Sequence, residues 1–241
     1  MKDAATVVLL RDAGDGIETF VLRRVSTMAF APRMHVFPGG RLDDADFDEE
    51  VELVDADVAA MAMRASCRSD ELLALYACAV RETQEEAGIA IADRDARGRL
   101  VVDPRRIPLF DHWVTPEEEA RRYDVRFFIA RVEDARLTTT EADAAMWIAP
   151  AAAVAAFERG EMAMLPPTER VLRWLAEFGS ADEAIGVGAE QAVLPKMPRR
   201  FVDAQGAAHW MLVHHRTGDV LVDSVSMPHT RETDGLPMEG P

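Results

Sequence analysis

The chain has 241 residues, 49% hydrophobic and 29% charged, with a formal net charge of −16. That length suits one large domain, or one domain with an appendage, and the apolar share is enough for a sizeable core. The acidic balance excludes a surface adapted to nucleic-acid polymers, which needs clustered Lys and Arg; it leaves open a small anionic substrate reached through a bound divalent cation.

Residues 4–11 and 18–25 are β-rich runs joined by Ala13-Gly14-Asp15-Gly16, which reads as a hairpin. The apolar run at 4–10 is too short for a signal core, and no later run approaches about 18 apolar residues, so a cytoplasmic chain without a membrane partner is expected. Phe37-Pro38-Gly39-Gly40 is a loop signal, and nine carboxylates against one Arg over 41–57 read as a solvated face. Cys67 and Cys78 lack the spacing of a zinc site or a disulfide framework, and Cys78 reads as a small buried side chain.

A helix is predicted over about 70–87. Ser69 can cap it, Asp70 and Glu71 suit the positive end of its dipole, Leu72, Leu75, Tyr76 and Ala79 repeat at helical spacing, and Gly88 fits a left-handed C-terminal cap. Strands follow at 108–114, 124–132 and 144–149, then helices at 150–159 and about 167–178. Beyond 180 the chain is rich in Gly, Pro and turn residues, with a hairpin expected around 200–222 and a disordered tail over the last dozen residues. His209, His214 and His215 lack a ligand pattern and read as structural.

The chemistry lies at the end of the first helix, in Arg81-Glu82-Thr83-Gln84-Glu85-Glu86-Ala87-Gly88-Ile89. Glu82, Glu85 and Glu86 are spaced i, i+3, i+4, so their carboxylates share one face of the last turns. Like charges this close repel, and a hard divalent cation with oxygen ligands would relieve the repulsion. Arg81 precedes Glu85 by four positions and can hold that carboxylate in place.

This segment resembles the box of the Nudix hydrolases, through Arg81, Glu82, Glu85, Glu86, Gly88 and Ile89, with Thr83 where an aliphatic residue is usual. Gly39-Gly40 resembles the opening of the same motif, and the box acid would fall on Asp46, with Asp43 or Asp44 as substitutes. Between Asp46 and Arg81 lie 34 residues where the motif has seven, an insertion of 27 that is expected to fold out on the surface with a helix near 50–64. A split box is similar to that of the peroxisomal-type acyl-CoA diphosphatases. Arg24, Phe30, Pro32, His35, Val36, Phe37, Gly39, Gly40, Leu42 and Asp43 agree with that branch; Arg33 stands where it carries Gly, and Phe30 occupies the place of the strict CoA-motif Arg.

The resemblance implies an α+β fold: a Nudix α/β/α sandwich with a mixed central sheet over residues 1–178, an insertion at about 47–68, and a C-terminal extension over 179–241. It implies Mg²⁺ or Mn²⁺ held by Glu82, Glu85, Glu86 and the Gly40 carbonyl, and hydrolysis of a diphosphate linkage in a small molecule, CoA or acyl-CoA first. A non-catalytic ligand-binding module and a diphosphatase acting on NADH or nucleotide sugars are the rival readings. Glu141, with Asp143 behind it, is the loop acid expected to act as base beside Glu85, or else a solvent carboxylate. Arg24 and Gly39 are substrate-binding candidates. His35 could contact phosphate or be structural. Arg126, with Arg121, Arg122 and the 113–116 stretch, could line a substrate mouth or make ion pairs. Family members often dimerise, which leaves room for a homodimer.

Overall fold

The computed structural model describes residues 1–14, 16–27, 31–202 and 208–222. In chain order it forms β1 (Lys2–Ala13), β2 (Gly16–Arg24), β3 (His35–Val36), β4 (Gly39–Arg41), α1 (Asp44–Asp48), β5 (Val51–Leu53), α2 (Val58–Arg64) and α3 (Ser69–Ala87). There follow β6 (Asp93–Arg94), β7 (Leu100–Val102), β8 (Leu109–Val114), β9 (Tyr123–Arg131), β10 (Ala142–Ile148), α4 (Pro150–Glu158), α5 (Pro166–Leu175) and α6 (Ala181–Glu190). Strands β11 (Pro195–Val202), β12 (Ala208–His214) and β13 (Val220–Val222) complete the described chain.

The main sheet runs β10-β2-β1-β9-β8-β11-β12-β13, with β3 on β2 and β4 on β1. It is mixed: β1 runs parallel to β9 and β11 parallel to β8, and the other pairings are antiparallel. Strand β1 explains the layering. Its period-two alternation sends Ala5, Val7 and Leu9 into one core with Leu72, Leu75, Tyr76 and Ala79 of α3. Val8 and Leu10 enter a second core with Val154 of α4, Leu172 of α5 and Ile185 of α6. A strand covered on both faces reads as a near-continuous apolar run, and this one does. The result is the expected α/β/α sandwich.

Helix α3 is buried along almost its whole length. Tyr76 packs its ring at a tilt against Phe128, centroids 4.8 Å apart, and donates its hydroxyl to the Ile107 carbonyl at 3.3 Å. Thr83 is fully buried, and its hydroxyl donates to the Ala79 carbonyl at 2.7 Å, so it fills an aliphatic position without an unpaired polar atom. The N-cap is Arg68 rather than Ser69: its backbone N–H donates to the Glu71 carboxylate at 2.9 Å, and Ser69 is already helical. Gly88 ends the helix at φ 67°, as expected.

The insertion does not fold out. Leu53, Ala62 and Ala65 are buried in the same core as Leu72 and Val102, and β5 joins a small β5-β7-β6 sheet beside α3. The helix within it is confined to α2, and a strand lies where its start was expected. The charge run is likewise only partly solvated, since Asp46 is 3% exposed.

Residues beyond 178 continue the same sheet. The hairpin is β11 with β12, paired from Lys196↔His214 to Val202↔Ala208. Helix α6 lies where turns were expected. Its Gly188 permits close packing: a Cβ there would stand 3.1 Å from Phe110 Cβ and 3.4 Å from the Trp174 ring. Arg64 of α2 donates to the Gly188 and Gln191 carbonyls, tying the insertion to the end of α6. Asp15, Phe30 and the expected disordered tail lie outside the described residues. Among those described, no helix is long and apolar enough to cross a membrane.

If the insertion is part of the core, Leu53→Ala should cost about 2–5 kcal/mol in urea unfolding. A loss within about 0.5 kcal/mol, the surface range, would return the insertion to the surface.

Candidate active site

The last turns of α3 lie against the Gly39-Gly40 backbone. A Cβ on Gly40 would stand 2.0 Å from Glu82 Oε1, and one on Gly39 would stand 2.4 Å from the Ala5 carbonyl oxygen. Two glycines are therefore needed for β4 to fit between β1 and the helix. Gly39 N–H donates to Glu86 Oε2 at 2.9 Å. The Gly40 carbonyl accepts from the Cys78 thiol at 3.6 Å, one helical turn before Glu82.

Arg81 organises the acids. Its Nε and Nη2 donate to the two oxygens of Asp46 at 2.9 and 2.8 Å, a bidentate pair across the insertion. Asp46 also accepts the Asp43 backbone N–H at 2.9 Å. Asp46, not Asp43 or Asp44, is thus the acid that meets the box arginine. Nη1 of Arg81 donates to Glu82 at 2.7 Å and reaches Glu85 only at 3.4 Å. The expected Arg81–Glu85 tie is its longest contact with a carboxylate.

Burial raises the Glu82 carboxyl above its ordinary range, against the pull of Arg81. Glu86, 7% exposed, is pushed up to about 7, first by desolvation and then by the negative charges of Glu82 and Glu141, while the Gly39 N–H and Arg24 oppose the shift. Glu85 remains exposed, with 59% of its side chain in solvent. Desolvated carboxylates beside a backbone carbonyl make an all-oxygen donor set, which fits a hard divalent cation. Among the described residues no three ligating side chains already converge as a cage. A cation would compete with Arg81 for Glu82.

These groups face a cleft of about 790 Å³. Arg24, Gly39, Gly40, Arg81, Glu82, Glu85 and Glu141 line it, so most of the expected set is brought together. Arg24 Nε is buried and has no hydrogen-bond partner among the described residues, which leaves a cationic donor free for an anionic ligand. Trp113, Val114, Thr115 and Pro116 form part of the wall, whereas Arg121 and Arg122 do not line it.

Two expected residues stand elsewhere. His35 is 7% exposed, its Nδ1 donates to the Ala163 carbonyl at 3.2 Å, and burial lowers its pKa, so it is a neutral structural histidine. Arg126 is 2% exposed and paired with Asp3 and Asp124 at 2.9 and 2.7 Å. Its strand neighbours Val125 and Phe127 line the cleft instead. Period-two alternation on β9 was the signal that puts Arg126 on the opposite face. Asp143 is tied up with Arg23 at 2.7 Å, and Trp147 packs against Phe20 under the Arg11 guanidinium, away from the cleft. The apolar wall formed by Tyr123, Leu165, Pro166, Pro167 and Pro198 comes from distant segments and had no motif to announce it.

This arrangement has known relatives. A crystal structure of a Nudix hydrolase from Alicyclobacillus acidocaldarius superposes with a TM-score of 0.64 at 29% identity, covering 77% of this chain and 96% of that one. In sequence and fold the chain is similar to the Nudix hydrolases. Among curated proteins, the chain is 26% identical over 247 residues to the acyl-coenzyme A diphosphatase NUDT19 of Gallus gallus, covering 73% of this chain. It spans 65% of that relative's length. No family model matches. In the segment that approaches Gly39-Gly40, Arg33 adopts φ 62°, a left-handed conformation that glycine favours, which accounts for a glycine at this position in the branch the sequence resembles.

Because the folded Glu86 pKa lies above that of a free carboxyl, its favourable contribution is present at low pH and lost as pH rises through about 7. Metal-free Glu86→Gln, which can still accept the Gly39 N–H, should therefore melt higher than the parent near pH 8, by on the order of 1–3 kcal/mol, with the gain shrinking towards pH 5. A variant less stable than the parent at pH 8 would contradict the desolvation account.

Proposed function

We propose that this chain hydrolyses a diphosphate linkage in a small molecule with the help of Mg²⁺ or Mn²⁺, and that CoA or acyl-CoA is its substrate. The observation that carries this reading is one cleft that gathers Glu82 and Glu85 of the helix, the Gly39-Gly40 backbone, Arg24 with its unpartnered Nε, and a loop acid. Glu82, Glu85, Glu86 and the Gly40 carbonyl would hold the cation. When bound, such an ion supplies charge neutralisation at phosphate oxygens and activation of water.

The chain's own groups do the rest. Arg24 binds a phosphate oxygen through its unpaired Nε, a charge-assisted contact in a partly dehydrated wall. Glu141, exposed to the cleft, takes the proton of the attacking water. Water oxygen bonds to phosphorus, the anhydride P–O bond breaks, and two phosphomonoesters leave. Arg81 holds Glu82 and pairs with Asp46 beneath the site. The CoA preference is supported by the split box and by the curated relative, itself an acyl-CoA diphosphatase. The apolar wall of Trp113, Tyr123, Phe127 and Leu165 suits the less polar part of such a substrate.

Product analysis over CoA, acyl-CoA esters, NADH, ADP-ribose and nucleotide sugars, each with Mg²⁺ and Mn²⁺, should give diphosphate cleavage, fastest with the CoA compounds. Glu85→Gln should fold normally and lose at least about a hundredfold in kcat, as expected for a ligand to a charge-neutralising ion. Parental turnover in that variant would refute the assignment, and ligand binding without products would favour a non-catalytic module.

A further inference from the structure

We infer that Thr138 is a positioning residue for Glu141: it fastens the loop carrying that acid to the end of α3, so that Glu141 and the helix carboxylates form one rigid set. The inference rests on the hydrolytic reading above.

The last carbonyls of a helix have no partners within it and must be satisfied from outside. Here one loop claims three in succession. Thr138 Oγ1 donates to the Glu85 carbonyl at 2.7 Å, Thr138 N–H donates to the Glu86 carbonyl at 3.1 Å, and Arg136 N–H donates to the Ala87 carbonyl at 3.0 Å. Two of these carbonyls belong to the residues whose carboxylates would hold the cation. Gly88 makes the approach possible, since a Cβ there would stand 2.8 Å from Thr138 Cγ2.

Three residues on, Glu141 is fixed from its other side. Its N–H donates to Thr139 Oγ1 at 3.1 Å, and its carbonyl accepts Val25 N–H at 3.0 Å. The loop therefore spans from the carboxylate helix to the end of β2, which carries Arg24, and Glu141 faces the same cleft as both. The side-chain bond is the part of this tie that a substitution can remove. Thr138→Val keeps the methyl against Gly88 and deletes only the hydroxyl, whereas Thr138→Ser keeps the hydroxyl.

The test uses the full chain. Hydrogen exchange in the metal-free protein reads the tie directly: Thr138→Val should speed exchange about tenfold in a peptide spanning 136–142, as expected for one lost neutral hydrogen bond, and leave β9 unchanged, while Thr138→Ser exchanges like the parent. With CoA and Mg²⁺, Thr138→Val should lower kcat about tenfold with KM within about twofold, and Thr138→Ser should restore it. In a Glu141→Gln background the same change should cost less than about twofold, because Thr138 acts through Glu141. Unchanged exchange, parental kcat in Thr138→Val, or an equal loss in the Glu141→Gln background overturns the positioning role. Full turnover in Glu141→Gln alone instead removes Glu141 as base, a failure of the underlying reading that the exchange data keep separate.

Discussion

Several carboxylates share a partly dehydrated space at the end of α3, and one guanidinium cannot neutralise them all. Arg81 gives two of its donors to Asp46, which is 3% exposed and would be costly to leave unpaired. One donor remains for Glu82, a long contact reaches Glu85, and Glu86 has a backbone N–H. Asp46 is thus satisfied first, and the acids proposed to hold the cation are left with fewer partners. That imbalance suits the helix end to the proposed cation. In the proposed reaction a chain with a net charge of −16 would address an anionic substrate because the bound ion and Arg24, rather than the overall surface, would set the local sign.

The rest of the fold holds that crowded helix end still. Strand β1 anchors both cores through alternate residues, β4 lies on it as two glycines, and α3 is clasped between the main sheet and the small β5-β7-β6 sheet. A carboxylate cluster on a loosely held helix would relax by splaying into water. Here Tyr76, Leu75 and Thr83 lock the helix from within, and the 136–138 segment locks it at its end.

Much of this was legible in the residues. The hairpin of β1 and β2, the span of α3, its glycine cap and the carboxylate face all follow from periodicity and spacing, and the sandwich follows once the box is recognised. Elements whose existence depends on tertiary partners were not legible. Strands β5, β6 and β7 are two or three residues long, too short to show a period. Helix α6 carries two poor helix formers, Gly186 and Gly188, of which Gly188 is used for close packing. In the site, Glu82, Glu85, Arg24, Gly39, Gly40 and Glu141 reach one cleft, with Glu86 buried behind Gly39, whereas Arg126 and His35 serve the interior. For Arg126 the alternation of β9 contained the answer. For His35 only the Ala163 carbonyl on a distant segment could reveal it.

The bidentate contact between Asp46 and Arg81 joins two points separated by 34 residues. Closing a flexible loop of that length costs roughly 3 kcal/mol of chain entropy, against roughly 2 kcal/mol for a seven-residue one. In an uninterrupted box the pair can form as soon as the local turn does. Here the intervening segment must itself find α3, so the charge pairing under the site becomes a late, long-range event rather than a local one. Assembly of the hydrolytic machinery is thereby coupled to the docking of a segment that contributes none of the proposed cation ligands.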